Sequence, residues 1–210
     1  MKRLAIIGAS GHGKVVAEIA ELSGWSEIIF FDDAFPEVAS IGIWPVLGNT
    51  TTLLNDVNKF DGCIVAIGNN AIRLEKTLAI QYNRGPIVSL SHPSSVISKY
   101  AEIGIGSVIM AGVVINPFVK LGMACIVNTA ATIDHDCELS DGVHISPGAN
   151  LAGAVKVGGK SWVGIGACVK QCVSIGDNVI VGAGAAVISD TLNSVLVTGI
   201  PAKQNKNPDK

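Results

Sequence analysis

The sequence predicts a small parallel α/β sheet in its first half and a parallel β-helix in its second half. Apolar segments that alternate with amphipathic ones indicate the sheet, and a repeat of six residues indicates the β-helix. Each repeat of this kind can bury its apolar side chains only against its neighbours, so a repeat constrains the fold strongly. At 210 residues the chain can hold two small domains.

The six-residue repeat runs without interruption from residue 97 to residue 187. Every sixth residue is isoleucine, leucine or valine, and the residue four positions later is small, β-branched or cysteine. Six is a multiple of the two-residue repeat of a strand, so these aliphatic side chains share one face, whereas a helix would spread them around its circumference. We therefore expect them to point into a β-helix. They are Ile97, Ile103, Ile109, Ile115, Leu121, Val127, Ile133, Leu139, Ile145, Leu151, Val157, Val163, Val169, Ile175, Val181 and Val187.

This repeat resembles that of the hexapeptide-repeat acyltransferases. The resemblance implies a left-handed parallel β-helix with three hexapeptides, about 18 residues, in each coil, and about five coils between residues 97 and 187. Residues 18 apart would then stack on one another. Because the register is continuous, we expect no loop to leave the prism.

The segment before the repeat alternates strands and helices, which is typical of a Rossmann-like parallel sheet. Strands are predicted over 3–7, 28–31, 63–67 and 87–90, and helices over 15–22, 51–57 and 72–82. We expect a boundary at 92, with an α/β domain over 1–92 and a β-helix over 93–210 that ends in a polar, frayed tail.

Polar residues follow three of the predicted strands: Ser10, Gly11 and His12, then Asp32 and Asp33, then Gly68, Asn69, Asn70 and Arg73. The carboxyl ends of parallel strands meet at one edge, where ligands bind. A glycine-rich turn before a helix lets backbone N–H groups approach phosphate. These features favour a nucleotide pocket, although such a turn can also be purely structural.

Composition excludes several classes of function. The net charge of −2 gives no electrostatic basis for binding nucleic acid or an anionic membrane. We find no apolar run long enough to span a bilayer and no signal peptide, so we expect no membrane insertion. The five cysteines include no C-x-x-C pair and indicate reduced thiols in a cytoplasmic protein without a metal site.

Two histidines of the repeat, His135 and His144, lie outside its aliphatic and small positions. His135 is followed by Asp136, and an imidazole beside a carboxylate suits a general base; an exposed histidine in an acidic strand is the alternative. Gly153 stacks on His135, whereas Ile165 and Ala183 stack on each other on another face. An uninterrupted prism shelters no site by itself, so we expect a homotrimer with sites between subunits.

Several motifs, in order, resemble the NeuD-type sialic-acid O-acetyltransferases and most closely the PglD-type sugar N-acetyltransferases. They are Gly8-Ala9-Ser10-Gly11-His12-Gly13, Asp32-Asp33, Gly68-Asn69-Asn70 with Arg73, Asn128-Thr129, Ile133-Asp134-His135-Asp136-Cys137 and Gly199-Ile200-Pro201-Ala202-Lys203. The resemblance implies acetylation of the 4-amino group of a UDP-linked 4-amino-4,6-dideoxy sugar by acetyl-CoA, as in UDP-N,N'-diacetylbacillosamine-type synthesis for glycans and protein glycosylation.

The resemblance also implies residue roles. His135 would be the general base, supported by Asp136, which is glutamate in some relatives. The UDP-sugar would bind Ser10, Gly11, His12, Asp32, Asp33, Gly68, Asn69 and Arg73, and His144 would touch substrate or donor. Gly153, Ile165 and Ala183 would line the acetyl-CoA site.

Other functions stay open from the sequence. With the same fold, the acceptor could be a sialic acid, through O-acetylation, or a dTDP-amino sugar. An NAD(P)-dependent dehydrogenase would ordinarily carry G-x-G-x-x-G, whereas this turn has the spacing G-x-x-G-x-G. A metal-dependent hydratase on a β-helix needs about three histidine ligands, and a non-catalytic scaffold needs no His-Asp pair.

Overall fold

A computed structural model describes residues 2–206 of the chain. The chain folds as two compact units, Met1–Pro93 and Ser94–Lys210. Among the described residues, no helix has the length and apolar character that crossing a membrane requires.

The first unit is a three-stranded parallel sheet with helices beside it. The sheet has the order β2-β1-β5, so all three strands end at one edge. Its core combines side chains of β1, β2 and β5 with Leu53 and Ile80 of the flanking helices. The elements are β1 (Arg3–Ile7), α1 (Gly11–Leu22), β2 (Glu27–Phe31), β3 (Ser40–Ile41), β4 (Trp44–Pro45), α2 (Thr50–Asp56), a 3₁₀ turn (Val57–Lys59), β5 (Gly62–Val65), α3 (Asn70–Tyr82) and β6 (Leu90–Ser91).

Three details of the first unit differ from the sequence-based prediction. The fourth strand predicted over 87–90 is wrong: Ile87 makes one isolated bridge to Cys63. The N–H of Cys63 donates to Pro86 O and the N–H of Val88 donates to Cys63 O, which makes this bridge. Pro86 has no N–H, so it cannot extend the ladder towards the preceding residues. Helix α1 begins at Gly11, earlier than predicted, and the antiparallel pair β3–β4 was not predicted.

The second unit is a parallel β-solenoid of about six turns, built from two-residue strands. From β7 to β22 each paired strand lies 18 residues from its partner, as Thr132 does from Asn150. Its strands are β7 (Val96–Ile97), β8 (Glu102–Ile103), β9 (Val108–Ile109), β10 (Val114–Ile115), β11 (Lys120–Leu121), β12 (Ile126–Val127), β13 (Thr132–Ile133), β14 (Glu138–Leu139), β15 (His144–Ile145), β16 (Asn150–Leu151), β17 (Lys156–Val157), β18 (Trp162–Val163), β19 (Cys168–Val169), β20 (Ser174–Ile175), β21 (Ile180–Val181), β22 (Ala186–Val187), β23 (Val195–Thr198) and β24 (Lys203–Lys206).

These strands form three faces. The first face holds β7, β10, β13, β16, β19 and β22, the second holds β8, β11, β14, β17 and β20, and the third contains β9, β12, β15, β18, β21 and β23. The predicted aliphatic positions are confirmed as the core, together with the small residues four positions later. Ile97 and Ile103, in the first turn, are only partly buried.

The corners between faces have a regular backbone. From Gly106 to Gly184 every sixth residue has a positive φ, and most of these residues are not glycine. Asp136 is one of them, with a φ of 60°. Asparagine and aspartate enter this left-handed region more readily than most other side chains.

The end of the chain is more ordered than predicted. Although the sequence repeat stops at Val187, β23 pairs with β21 and continues the third face. Antiparallel to β23 runs β24, where a frayed tail was predicted. The rest of that predicted tail, 207–210, lies outside the described residues.

Candidate active site

The centre of the candidate site is the corner between β13 and β14, which holds His135 and Asp136. We call this corner and its equivalents in other turns the histidine corner. The Nδ1–H of His135 donates to Asp136 Oδ2 at 2.7 Å, and both side chains are more than half exposed. Because Nδ1 carries the proton, Nε2 of a neutral His135 has its lone pair available.

A second carboxylate fixes the backbone of this corner. Asp134 Oδ1 accepts hydrogen bonds from the side-chain amide of Asn116 at 2.7 Å and from the N–H of His135 at 2.8 Å. The Asn116 bond, followed by that of His135, lowers the pKa of Asp134. Asn116 stands 18 residues before Asp134 and was not identified from the sequence.

The two carboxylates make His135 a stronger base. Its pKa is raised above 6.5, first by the hydrogen bond to Asp136 and then by the charge of Asp134. Both groups favour the imidazolium that forms when a base accepts a proton. The corner can therefore take a proton from a substrate.

Gly153 lies directly against the imidazole, one turn further along the prism. A Cβ placed on Gly153 would be 2.7 Å from both Cε1 and Nε2 of His135. The N–H of Gly153 has no hydrogen-bond acceptor within residues 2–206. A hydrogen-bond donor and a base thus lie close together.

A groove of about 450 Å³ on the first face begins beside this corner. The corner on the other side of that face holds Ile165, between β18 and β19, and Ala183, between β21 and β22. These two residues were predicted to lie on another face than Gly153, but they flank the same face. The groove is lined by Val114, Asn116, Thr132, Asp134, Asn150, Leu151, Ala152, Cys168 and Val169.

His144 is on the third face and does not meet His135 within one chain. Its ring is almost buried and stacks on Trp162, with 5.3 Å between centroids and an angle of 8°. Its Nε2 lies 3.3 Å from the amide nitrogen of Asn128. Since that nitrogen only donates, Nε2 accepts. Trp162 was not identified from the sequence, although it follows His144 by 18 residues.

In the first unit, Asp32 connects the turns after β1 and β2. Its Oδ2 accepts from the N–H of Ala9 at 2.7 Å and its Oδ1 from the N–H of Ala34 at 2.9 Å. A Cβ on Gly13 would overlap Gly8 O, so this glycine permits close packing of the turn. Around Gly11 and Gly68 the space is open, which leaves room for a ligand.

Asp33 forms a separate polar cluster with α2 and α3. It accepts from Lys76 Nζ at 2.7 Å and from the N–H of Thr50 at 3.0 Å. The bond to Lys76, followed by that to Thr50, lowers the pKa of Asp33 to about 2. Neither partner was identified from the sequence. Asp33 is therefore a fixed negative charge at the edge of the sheet.

The loop after β5 is held by Arg73, which is fully buried. Its guanidinium donates to the carbonyls of Ile67 and Gly68 and to Asn70 Oδ1, at 3.0, 3.1 and 2.8 Å. Asn69 accepts from Ala71 and Ile72 and so caps α3, while Ser10 is the N-cap residue of α1. Arg73 and Asn69 therefore shape the predicted pocket.

His12 is the third predicted contact from the first turn, and it is largely buried. Burial, with the charge of Arg73 as the second cause, lowers its pKa to about 4. Its Nε2 has no hydrogen-bond partner among the described residues. A neutral His12 at physiological pH can donate to a ligand or accept from it.

Across residues 2–206, His, Cys, Asp and Glu side chains form no group of three that could hold a metal ion. A hexapeptide β-solenoid with a histidine–carboxylate pair beside an open groove defines a hexapeptide-repeat acyltransferase. Comparisons with known proteins narrow this class.

The family model of the PglD N-terminal domain matches residues 3–78. UDP-N-acetylbacillosamine N-acetyltransferase from Bacillus subtilis is 37% identical over 117 residues, which are 53% of this chain and 52% of that protein. The alignment therefore spans about half the length of this curated relative.

Two solved structures match over nearly the whole chain. The acetyltransferase domain of PglB from Neisseria gonorrhoeae, in complex with acetyl coenzyme A, is 44% identical, has a TM-score of 0.92, and the match covers 97% of this chain and 99% of that one. A histidine-to-asparagine mutant of perosamine N-acetyltransferase from Caulobacter crescentus, in complex with CoA and GDP-perosamine, is 37% identical, with a TM-score of 0.92 and coverage of 99% and 98%. The chain belongs to the PglD-type family of acetyl-CoA-dependent sugar N-acetyltransferases.

Proposed function

We propose that the enzyme transfers the acetyl group of acetyl-CoA to the 4-amino group of a UDP-linked 4-amino-4,6-dideoxy sugar, in bacillosamine-type glycan biosynthesis. The relative from Bacillus subtilis acts on UDP-N-acetylbacillosamine, and the neighbour from Neisseria gonorrhoeae binds acetyl coenzyme A. The observation that carries the proposal is the exposed His135–Asp136 pair with Gly153 against its ring.

His135 is the general base of this reaction. As the amine nitrogen attacks the thioester carbonyl, Nε2 takes one of its protons, and the imidazolium is stabilised by Asp136. The C–N bond forms, the C–S bond breaks, and the CoA thiolate leaves and can recover the proton from His135. No covalent enzyme intermediate is needed.

The acetyl donor binds in the groove of the first face. The N–H of Gly153 donates to the thioester oxygen as negative charge develops on it, which is where such a donor contributes most. Ile165 and Ala183, at the other edge of the face, contact the CoA chain. Support comes from the groove between the two corners.

The sugar nucleotide binds to the first unit. The helix N-terminus behind Ser10 and Gly11 suits a phosphate group, and Asp32 and Asp33 accept from hydroxyl or amide groups. His12 contacts the nucleotide, whereas Gly68, Asn69 and Arg73 form and position the loop beside it. His144, stacked on Trp162, contacts the substrate or the donor.

The functional assembly is a cytoplasmic homotrimer with active sites at the seams between subunits. The His135 side chain is more than half exposed within one chain, and the adjacent subunit supplies the missing wall. Acetyl-CoA and nucleotide sugars are cytoplasmic substrates, which fits an enzyme whose five cysteines are thiols. A monomeric mass in native light scattering would refute the trimer.

A GDP-linked amino sugar is the second candidate acceptor, because the perosamine N-acetyltransferase that matches this chain binds GDP-perosamine. The test is a thiol-release assay with acetyl-CoA and UDP-, GDP- and dTDP-linked 4-amino sugars, with UDP-GlcNAc and sialic acid as controls. We expect the highest kcat/KM with the UDP-linked 4-amino sugar. Turnover of sialic acid alone would refute the proposal.

The role of His135 is tested in the same assay. We expect His135→Ala to lower kcat by ~10²–10⁴-fold, the usual contribution of general-base catalysis. Asn178→Ala, a change at a corner on another edge of the prism, is the matched control. Unchanged turnover in His135→Ala would refute the assignment.

A further inference from the structure

We propose that Tyr100 and Phe118 form a platform on which the acceptor sugar stacks, and that this platform selects a 6-deoxy sugar. The inference rests on the proposed function, because it assigns a further subsite to the same reaction. It starts from an exposed aromatic pair that the mechanism above does not use.

The platform is part of the histidine corner. Phe118 stands one turn before Asp136, at the equivalent position, and Tyr100 stands one turn before Phe118. Neighbouring turns of such a solenoid lie ~4.8 Å apart, so Phe118 is adjacent to the catalytic pair along the corner. Both rings are exposed, Tyr100 by 55% and Phe118 by 59%. Their centroids are 5.6 Å apart with an interplanar angle of 27°, and the ammonium of Lys99 lies 4.9 Å from the Tyr100 ring.

The backbone of the corner does not explain the choice of phenylalanine. Phe118 has a φ of 64°, in the left-handed region that bulky side chains rarely adopt. At the equivalent positions of other corners the chain uses glycine, alanine, asparagine, aspartate, lysine or cysteine. A strained residue beside a reactive group points to a functional constraint.

The position of the platform along the prism indicates which substrate it meets. Gly153, Ile165 and Ala183, the residues assigned to acetyl-CoA, all come later in the coil order than His135, whereas Tyr100 and Phe118 come earlier. In direct transfer the amine lies between the base and the thioester carbonyl. The donor groove extends back to Val114 and Asn116, but Tyr100 and Phe118 are not part of its lining. The platform therefore lies outside the donor groove, on the side of His135 away from Gly153, and we assign it to the acceptor.

The chemistry of the acceptor fits an aromatic surface. One face of a pyranose ring carries mainly C–H groups, and a 6-deoxy sugar adds a methyl group where other sugars carry a hydroxyl. Phe118 is 59% exposed although its ring stacks on Tyr100, so ring surface remains for these apolar groups. Burial of a methyl against a ring is favourable, whereas burial of an unpaired hydroxyl is unfavourable.

The experiment uses the full-length enzyme and steady-state kinetics. The acceptors are a UDP-4-amino-4,6-dideoxy sugar and its 6-hydroxy counterpart, each measured against acetyl-CoA. Phe118→Ala removes the ring and keeps a residue that other corners accept, as at Ala124 and Ala154. Phe118→Tyr retains the ring, and Asn178→Ala is the control for a corner substitution elsewhere.

We expect Phe118→Ala to raise KM for the 6-deoxy acceptor ~5–10-fold, the worth of one aromatic contact, with KM for acetyl-CoA changed by less than about twofold. The preference for the 6-deoxy acceptor over the 6-hydroxy acceptor should fall by a similar factor. Phe118→Tyr should stay within about twofold of the wild type.

Three results for Phe118→Ala would refute the assignment of the platform to the acceptor. They are an unchanged acceptor preference, an equal rise of the KM values for acceptor and acetyl-CoA, or a loss of the native oligomer. The last would assign the ring pair to a contact between copies of the chain. Failure of the proposed function itself is distinguishable, because the wild-type enzyme would then acetylate neither amino sugar.

Discussion

The contact between Gly153 and His135 gives the sharpest test of the active site, through the substitution Gly153→Ala. The added Cβ would be 2.7 Å from Nε2 and Cε1 of the imidazole, whereas ordinary contact begins near 3.4 Å. The ring must therefore move by at least ~0.7 Å, the difference between 3.4 and 2.7 Å. Because Gly153 is not among the residues with a positive φ, alanine is compatible with its backbone.

This displacement has a predictable size of effect. A misplacement of ~1 Å at a reacting group can lower the rate by ~10²-fold, so we expect Gly153→Ala to lower kcat by ~10–10²-fold. The N–H of residue 153 is retained, so the loss reports on the position of the base. The fold should be unaffected, since a Gly→Ala change at a compatible position contributes only ~0.4–1 kcal/mol through the unfolded chain.

The assay is acetyl-CoA thiol release, together with thermal unfolding. Gly159→Ala is the matched control, because it occupies the same repeat position and its Cβ would have 3.6 Å of space. In a His135→Ala background, Gly153→Ala should have almost no further effect, since both changes act through one imidazole. A fully active Gly153→Ala enzyme, or additive losses in the double variant, would refute the reasoning.

Three further predictions follow from polar and aromatic contacts. Asp136→Asn suits the same corner conformation and removes the main cause of the raised pKa of His135. The acidic limb of the pH profile of kcat/KM should therefore move to lower pH, and kcat should fall by ~10–10²-fold, less than for a buried triad. An acidic limb that stays at the same pH would contradict the pairing of His135 with Asp136. Lys76→Met should lower the free energy of unfolding at pH 7 by ~0.5 kcal/mol. The pKa of Asp33 is lowered to about 2, so the contribution of the ion pair to stability is complete above the ordinary carboxyl pKa of 3.8 and is lost as pH falls through about 2. Denaturant titrations in which wild type and Lys76→Met differ by the same free energy at every pH would contradict this role of the ion pair. Trp162→Leu should lower kcat/KM ~2–10-fold through loss of the ring that supports His144, whereas Trp162→Phe should lower it less. Wild-type kinetics in both variants would show that the stacking of Trp162 on His144 does not contribute to function.

Much of the fold could be predicted from sequence because one structural rule, burial of every sixth residue, acts on every turn. The same register defines which residues stack, and the structure brings Gly153 against the ring of His135 as a spacing of 18 requires. The segment 87–90 was mispredicted because its apolar composition says nothing about hydrogen bonding. The segment makes one isolated bridge, to Cys63, and Pro86 has no N–H with which to extend it.

The candidate site was only partly predictable for a related reason. A repeat position gives a residue's place on the prism but not the reach of its side chain, so Asn116, which holds Asp134, was missed. Lys76 was missed because its partner Asp33 lies 43 residues away in the sequence. The guanidinium of Arg73, a predicted ligand contact, also donates to the loop carbonyls, and the sequence does not indicate those bonds. Such contacts depend on tertiary geometry that no local pattern encodes.

The structure also gives a physical reason for aspartate at residue 136. This residue must adopt a positive φ, like its equivalents in the other turns, and aspartate tolerates that conformation better than a longer side chain does. From this backbone its short carboxylate reaches Nδ1 of the preceding residue at 2.7 Å. Asp136 therefore fulfils two requirements, because it adopts the backbone conformation of the corner and its carboxylate supports His135. Asp136→Glu should separate these two roles. The longer side chain can still reach His135, but the corner becomes less favourable, so thermal stability should fall while kcat changes little. A lowered kcat with unchanged thermal stability would show that the length of the carboxylate side chain, and not the corner, selects aspartate here.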